Sequence, residues 1–145
     1  MSVGSICQRD VDVVDQKTTV LSAAQRMRHR TIGCLIVIDR GQLPIGILTD
    51  RDLVVRVVAE GRDPASTSVG EVMTPFPHLA SEDLPIETAL GLMRRHSFRR
   101  LPVIDDGGRL AGLVTLDDIL LLLAEEFSSI GDLLSRNSPR AATVG

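Results

Sequence analysis

Two segments of this 145-residue chain carry residue types that could do chemistry, at one repeated spacing. They are Gly46-Ile47-Leu48-Thr49-Asp50-Arg51-Asp52 and Gly112-Leu113-Val114-Thr115-Leu116-Asp117-Asp118. Each sets a glycine in an apolar stretch, a hydroxyl at its end and a carboxylate three residues on. Thr-x-x-Asp ahead of an apolar run is a variant capping box, whose hydroxyl and carboxylate satisfy orphan N–H groups at a helix start. The same geometry permits a second use. A carboxylate held at a helix N-terminus can accept two hydrogen bonds from a vicinal diol, with the threonine hydroxyl donating or accepting beside it. Glycine lets a flat ligand approach the backbone closely. That describes a ribose site beside helix starts that tolerate phosphate. On the residues alone, both uses stay open.

The two segments are parts of a longer duplication. A shift of 66 positions carries Ser2-Val3-Gly4 onto Ser68-Val69-Gly70, Met27-Arg28 onto Met93-Arg94, and Val37-Ile38-Asp39 onto Val103-Ile104-Asp105, with no gap from Ser2 to Leu53. Two copies of one short unit imply that neither buries its apolar face alone, and that a ligand would sit in the groove between them. Each copy reads as helical lead-in, strand, helix, strand, strand, helix. In the first, Val11–Val14 is a β-branched run, and Thr18 or Thr19 caps a helix with Val20, Ala23, Ala24 and Met27 on one face. Strands are expected at Leu35–Ile38 and Ile45–Thr49, and a helix from about Asp50 to Glu60. In the second, Pro77–Ala80 is extended and Pro85–His96 helical, with Pro85 in the first turn. Strands Leu101–Ile104 and Ala111–Thr115 and a helix from Leu116 complete the copy. That last helix continues apolar through Phe127, Ile130, Leu133 and Leu134, so a second surface, such as another copy of the chain, is expected to cover it.

Composition narrows the function classes. Only 2% of residues are aromatic, with no Trp or Tyr, which removes the stacking platforms of single-strand binders. The net charge of −3 offers no basic field for polyanions, so no nucleic-acid partner is expected. Cys7 and Cys34 fit neither a metal spacing nor a disulfide framework and read as buried thiols of a reducing, cytoplasmic setting. No signal peptide is visible, and Ile119 to Ala124 is too short an apolar stretch to cross a membrane. His29, His78 and His96 share no metal-ligand spacing. No nucleophile motif or Walker-type loop is present, so no catalytic residues are assigned and the chain is not expected to be an enzyme.

The duplication, the Leu-Pro-Val-Ile-Asp of 101–105 and the paired Gly-x-x-Thr-x-x-Asp segments resemble a tandem pair of CBS domains, a Bateman module, over about residues 2–127. Thr-Asp-Arg-Asp at 49–52 is similar to small stand-alone CBS proteins of bacteria. The resemblance implies an α/β (α+β) fold of two repeats related by a pseudo-twofold axis, each a small three-stranded sheet packed by helices. Repeat 1 would span 1–61, a linker 62–67, repeat 2 68–127, a helical extension 128–136 and a flexible tail 137–145. It further implies an adenosine-containing ligand (AMP, ADP, ATP, NAD or S-adenosylmethionine) as a regulatory ligand rather than an obligatory cofactor, and a homodimer.

Carried over by position, the resemblance implies two unequal sites. In the first, Thr115 and Asp118 would hold the ribose, Val13, Ile32 and Leu113 the adenine, and Arg99 and Arg100 the phosphates. In the second, Thr49 and Asp52 would hold the ribose, with Ile47, Phe98 and Leu79 around the base. There the positions matching Arg99 and Arg100 are Gly33 and Cys34, leaving Arg51, with His96 or Arg95 nearby, to supply positive charge. Asp117 matches Arg51 and would repel phosphate unless it turns away or shares a cation. The expectation is a nucleotide sensor reporting to an unidentified target protein. The alternative is a dimerisation or scaffold module without nucleotide response.

Overall fold

The computed structural model describes residues 1–76 and 78–137, and in it the two copies of the repeat build two small sheets, each covered by helices. The first copy supplies α1 (Val3–Ile6), β1 (Val13–Asp15), α2 (Val20–Arg30), β2 (Cys34–Ile38), β3 (Pro44–Thr49) and α3 (Asp50–Leu53). The second supplies α4 (Val69–Val72), β4 (Thr74–Pro75), β5 (Ala80–Ser81), α5 (Ile86–His96), β6 (Arg100–Ile104), β7 (Leu110–Thr115) and α6 (Leu116–Asn137). This is the α/β architecture expected, with most element ends shifted by a residue or two, β5 starting only at Ala80 and β4 not expected.

Equivalent residues do equivalent work. In α2, Val20, Ala23 and Met27 are buried, and in α5 their counterparts Ile86, Ala89 and Met93 are buried, because spacings of three and four keep them on one face. Thr19 caps α2, its side chain accepting from the Ser22 N–H. Pro85 stands just outside α5 as its N-cap rather than inside the first turn, where an extended ψ of 144° suits the chain's entry. Both helices end on a non-glycine residue in the left-handed region, Thr31 at φ 55° and Ser97 at φ 56°, after three basic residues that complement the helix dipole. Such a residue costs about 1 kcal/mol or more and turns the chain sharply into the next strand.

The helix expected to follow β3 is only partly α. After Leu53 the backbone widens into a π turn, Val54–Val58. Four of those five residues are valine, and β-branched side chains crowd a normal α turn.

The sheets depart from three strands apiece. The second is β5-β6-β7, but the first is β1-β2-β3-β4, its fourth strand coming from the lead-in of the other repeat. β4 pairs antiparallel with β3, Gly46 opposite Pro75 and Ile47 opposite Thr74. The counterpart contact is a bridge from the first lead-in to β7, in which Gln8 and Leu113 exchange both backbone hydrogen bonds at 2.8 and 2.9 Å. The two lead-ins are thus exchanged. Val3 lies fully buried in the second repeat's core with Leu101, Val103, Val114 and Ile119, while Val69 and Val72 lie in the first repeat's core with Leu35, Val37 and Leu48. Each such valine contributes roughly 1.5–3 kcal/mol of apolar burial to a core it does not belong to by sequence.

A third cluster joins the sheets: Ile36, Ile47 and Leu113, with Val13, Cys34 and Ile38 packed against them. The linker is anchored, since the Val20 N–H donates to the Thr67 carbonyl at 2.9 Å and Thr67 is buried. Pro77, at the start of the extended segment expected over 77–80, lies outside the described residues, as do residues 138–145 of the expected tail. Asn137 itself closes α6. Beyond Ile119 that helix turns a long apolar face to solvent, including Leu120, Phe127, Ile130 and Leu134. Among the described residues, no helix is long and apolar enough to cross a membrane.

Candidate functional site

Both Thr-x-x-Asp segments sit where a strand enters a helix, and both form reciprocal capping boxes. The Thr115 N–H donates to Asp118 Oδ2 at 2.9 Å and the Asp118 N–H to Thr115 Oγ1 at 3.1 Å. The Thr49 N–H donates to Asp52 Oδ2 at 3.0 Å and the Asp52 N–H to Thr49 Oγ1 at 3.1 Å. Capping therefore occupies one oxygen of each carboxylate and fixes the other, Oδ1, in direction. Neither Oδ1 takes part in the cap: Gln8 Nε2 donates to that of Asp118 at 3.1 Å, and Thr74 Oγ1 to that of Asp52 at 3.2 Å. Gln8 and Thr74 occupy equivalent positions in the two lead-ins, so the exchange delivers a donor from each repeat to the acid of the other.

Around Thr115 the structure gathers three of the residues expected in the first site. Arg99, Arg100 and Thr115 line a cavity of about 310 Å³ with Leu116 and Asp117, at the lower end of the range for small-ligand pockets. The register explains the gathering, because Arg100 on β6 pairs with Thr115 on β7 and the Leu116 N–H donates to the Arg99 carbonyl at 2.9 Å. Two guanidiniums and the start of a 22-residue helix favour an anion there, and the Asp117 carboxylate opposes it. Arg100 also acts on Cys34 of the first repeat. Burial pushes the Cys34 thiol up, against the pull of that guanidinium. Cys34 stands opposite Thr49 on β2 and β3, so Arg100 lies between the two carboxylate segments.

Of the residues expected around the base, Leu113 and Val13 share the cluster between the sheets, and so does Ile47 of the second site. Ile32 does not join them. It follows the left-handed turn at Thr31 and packs on the first repeat's own core. Phe98 packs on the second repeat's core, and its ring lies 6.3 Å from His96 and 5.9 Å from His78, the two imidazoles being 4.5 Å apart. Leu79, beside His78, is exposed. Arg51 is exposed and its side chain has no hydrogen-bond or ion-pair partner among the described residues.

Several residues at the two segments were not read from the sequence. Arg56 sets Nε 3.9 Å from Asp52 Oδ1, while its Nη1 donates to the Val72 and Met73 carbonyls at 3.0 and 3.1 Å. Its i,i+4 spacing from Asp52 was the available signal. Gln8 and Thr74 could have been found by asking which polar side chains recur at equivalent lead-in positions. Among the described residues, no group of three or more His, Cys, Asp or Glu side chains could hold a metal ion.

Comparison with known proteins places this geometry. The sequence pattern of the CBS domain matches residues 3–59 and 69–125. The chain is 38% identical over 120 residues to the uncharacterized protein MK0525 of Methanopyrus kandleri, covering 83% of this chain. It spans 61% of that protein, less than two thirds of its length. It is 36% identical over 118 residues to the CBS domain-containing protein YhcV of Bacillus subtilis, with 81% and 82% of the two chains covered. Among solved structures, it is similar to the CBS domain pair of protein MJ0100 in complex with 5'-methylthioadenosine and S-adenosyl-L-methionine. The TM-score is 0.74 at 25% identity, over 87% of this chain and 98% of that one. With two matches in register on two repeats that share each other's lead-ins, the chain belongs to the CBS-domain family and carries that domain twice in tandem.

Proposed function

We propose that this CBS pair is a sensor that binds an adenine nucleotide between its repeats and passes occupancy to a separate target protein. CBS pairs are in general regulatory, ligand-binding modules rather than catalysts. The ligand and the response assigned to this chain are our reading. The observation that carries it is the cavity of about 310 Å³ in which Arg99, Arg100 and Thr115 meet at the start of α6. The Asp118 carboxylate stands one turn away with an oxygen directed at the other repeat. A ribose diol would take the place of the Gln8 amide on that oxygen. The phosphates would meet Arg99 and Arg100, and the base would lie toward Leu113 and Val13. The ligand is AMP, ADP, ATP, NAD or S-adenosylmethionine, bound reversibly and not as a fixed cofactor. Two free thiols fit a reducing, cytoplasmic setting.

Titration calorimetry with those five compounds tests the reading, and thermal unfolding checks it independently. A ligand present at a hundred times its dissociation constant stabilises the fold by about 2.7 kcal/mol. Heat of binding and a raised melting temperature with at least one compound are expected. No response to any of them favours the second reading, a scaffold whose output is its own assembly.

One observation supports that second reading and also the homodimer. Leu120, Phe127, Ile130 and Leu134 of α6 are exposed, as are Val54 and Val55, which match Leu120 and Leu121 in the other repeat. Apolar positions repeated by pseudo-symmetry make a face that a second copy of the chain would cover.

A further inference from the structure

The two carboxylate segments are alike in their capping boxes and unlike in what holds the remaining oxygen. On Asp118 it is held by Gln8, an exposed side chain with three rotatable bonds between its Cα and its amide group. On Asp52 it is held by Thr74, a β-branched, part-buried residue in β4, whose backbone is paired to β3. Arg56 reinforces that hold. Its guanidinium lies beside Asp52 and also grips the Val72 and Met73 carbonyls just before Thr74, tying the lead-in to the segment it closes. The residue at the matching position in the second repeat is Leu122, which can make neither contact.

We infer that the chain binds one nucleotide, at Thr115 and Asp118, with Gln8 acting as a latch that the ligand displaces, while Thr74 and Arg56 keep the Asp52 segment closed. This rests on the reading of the two aspartates as ribose acceptors. The Gln8 amide donates to the oxygen that a sugar hydroxyl would need, so latch and ligand compete for it. Gln8 can withdraw by rotating its side chain into solvent. Thr74 has a single χ1 torsion restricted by its branch, and releasing Asp52 requires either a disfavoured rotamer or separation of β4 from β3. Asymmetry of gating, added to the loss of the basic pair at Gly33 and Cys34, makes occupancy unequal.

Calorimetry with AMP on the full chain, its Gln8→Ala variant and its Thr74→Val variant tests this. Wild type is expected to bind one AMP per chain. Gln8→Ala removes an exposed side chain and leaves the backbone bridge to Leu113 in place, so it is expected to keep that stoichiometry and tighten it about three- to tenfold, the worth of one solvent-exposed hydrogen bond. Thr74→Val keeps the branched shape and is expected to admit a second, weaker AMP. The side-chain amide resonances of Gln8 in wild type should move on saturation, which a distant or purely structural Gln8 would not show. Two AMP per wild-type chain would overturn the gating while leaving the nucleotide reading intact. An unchanged or weaker affinity in Gln8→Ala would overturn the latch. Absence of AMP binding to wild type and to Gln8→Ala alike would overturn both.

Discussion

Gly112 lies so close to Cys7 that a Cβ on the glycine would stand 2.6 Å from the thiol sulfur and 2.7 Å from the neighbouring Gln8 carbonyl oxygen. Its counterpart Gly46 meets the Met73 sulfur at 2.8 Å and the Thr74 carbonyl oxygen at 3.0 Å. These glycines are where each lead-in crosses the other repeat's strand. Gly112→Ala pushes on backbone and is expected to cost about 1–3 kcal/mol of stability. Gly46→Ala pushes first on a flexible thioether and should cost less. Urea denaturation of both variants checks the order, and the reverse order would contradict the packing described.

Arg100 should discriminate phosphate from its absence. Arg100→Ala is expected to weaken AMP binding about tenfold, the loss of one hydrogen bond to a charged group, and to leave adenosine affinity unchanged. Paired titrations at low salt measure the difference. Equal losses for both ligands would mean that Arg100 acts through the fold and not through phosphate.

The capping boxes contribute stability whether or not a ligand binds. Thr49→Ala and Thr115→Ala are each expected to cost about 1 kcal/mol, read from denaturant midpoints without added nucleotide. Thr115→Ala should in addition weaken AMP, and Thr49→Ala should not.

The two thiols, expected to be buried, are only partly so, and that burial pushes both above their ordinary value, at Cys7 against the pull of Arg9 and at Cys34 against that of Arg100. A raised value in the folded chain means that the stability linked to it is present below the ordinary thiol range and is lost as pH climbs through the folded value. Alkylation at pH 8 should therefore be slower than for a free cysteine. Melting temperature should fall more steeply above pH 9 in wild type than in a Cys34→Ala variant. A thiol reacting at the free rate would contradict the burial.

The face of α6 should govern assembly. Phe127→Glu and Leu134→Glu place charge on residues that are 71% and 63% exposed in the single chain, so folding should survive. Sedimentation should change from dimer to monomer. Unchanged sedimentation would remove α6 from the interface.

Much of the architecture was legible because it is local. Helical spacing at Val20, Ala23 and Met27, apolar runs at Leu35–Ile38 and Leu101–Ile104, and the capping pattern at Thr49 and Thr115 each depend on residues a few positions apart. What the chain hid was long-range. Nothing near Gln8 announces Asp118, 110 residues away, and nothing in the repeat says that each lead-in crosses to the other sheet. Ile32 was expected beside the base from its position in the family pattern. It packs on its own repeat's core after the left-handed Thr31, as Phe98 does after Ser97, a placement that no local pattern announces. The π turn after α3 was hidden for another reason, since its four valines read as the continuation of an apolar helix while crowding a regular α turn.

The crossing of the lead-ins bears on how the chain acquires its shape during synthesis. The lead-in over residues 3–8 leaves the ribosome well before its backbone partners at Glu82, Leu84 and Leu113. That lead-in must stay unpaired until the second repeat has been made, and neither half can finish before the other has started. Separating the halves at residues 62–67 would yield two fragments, each lacking a valine its interior requires, which should recover native structure only when mixed.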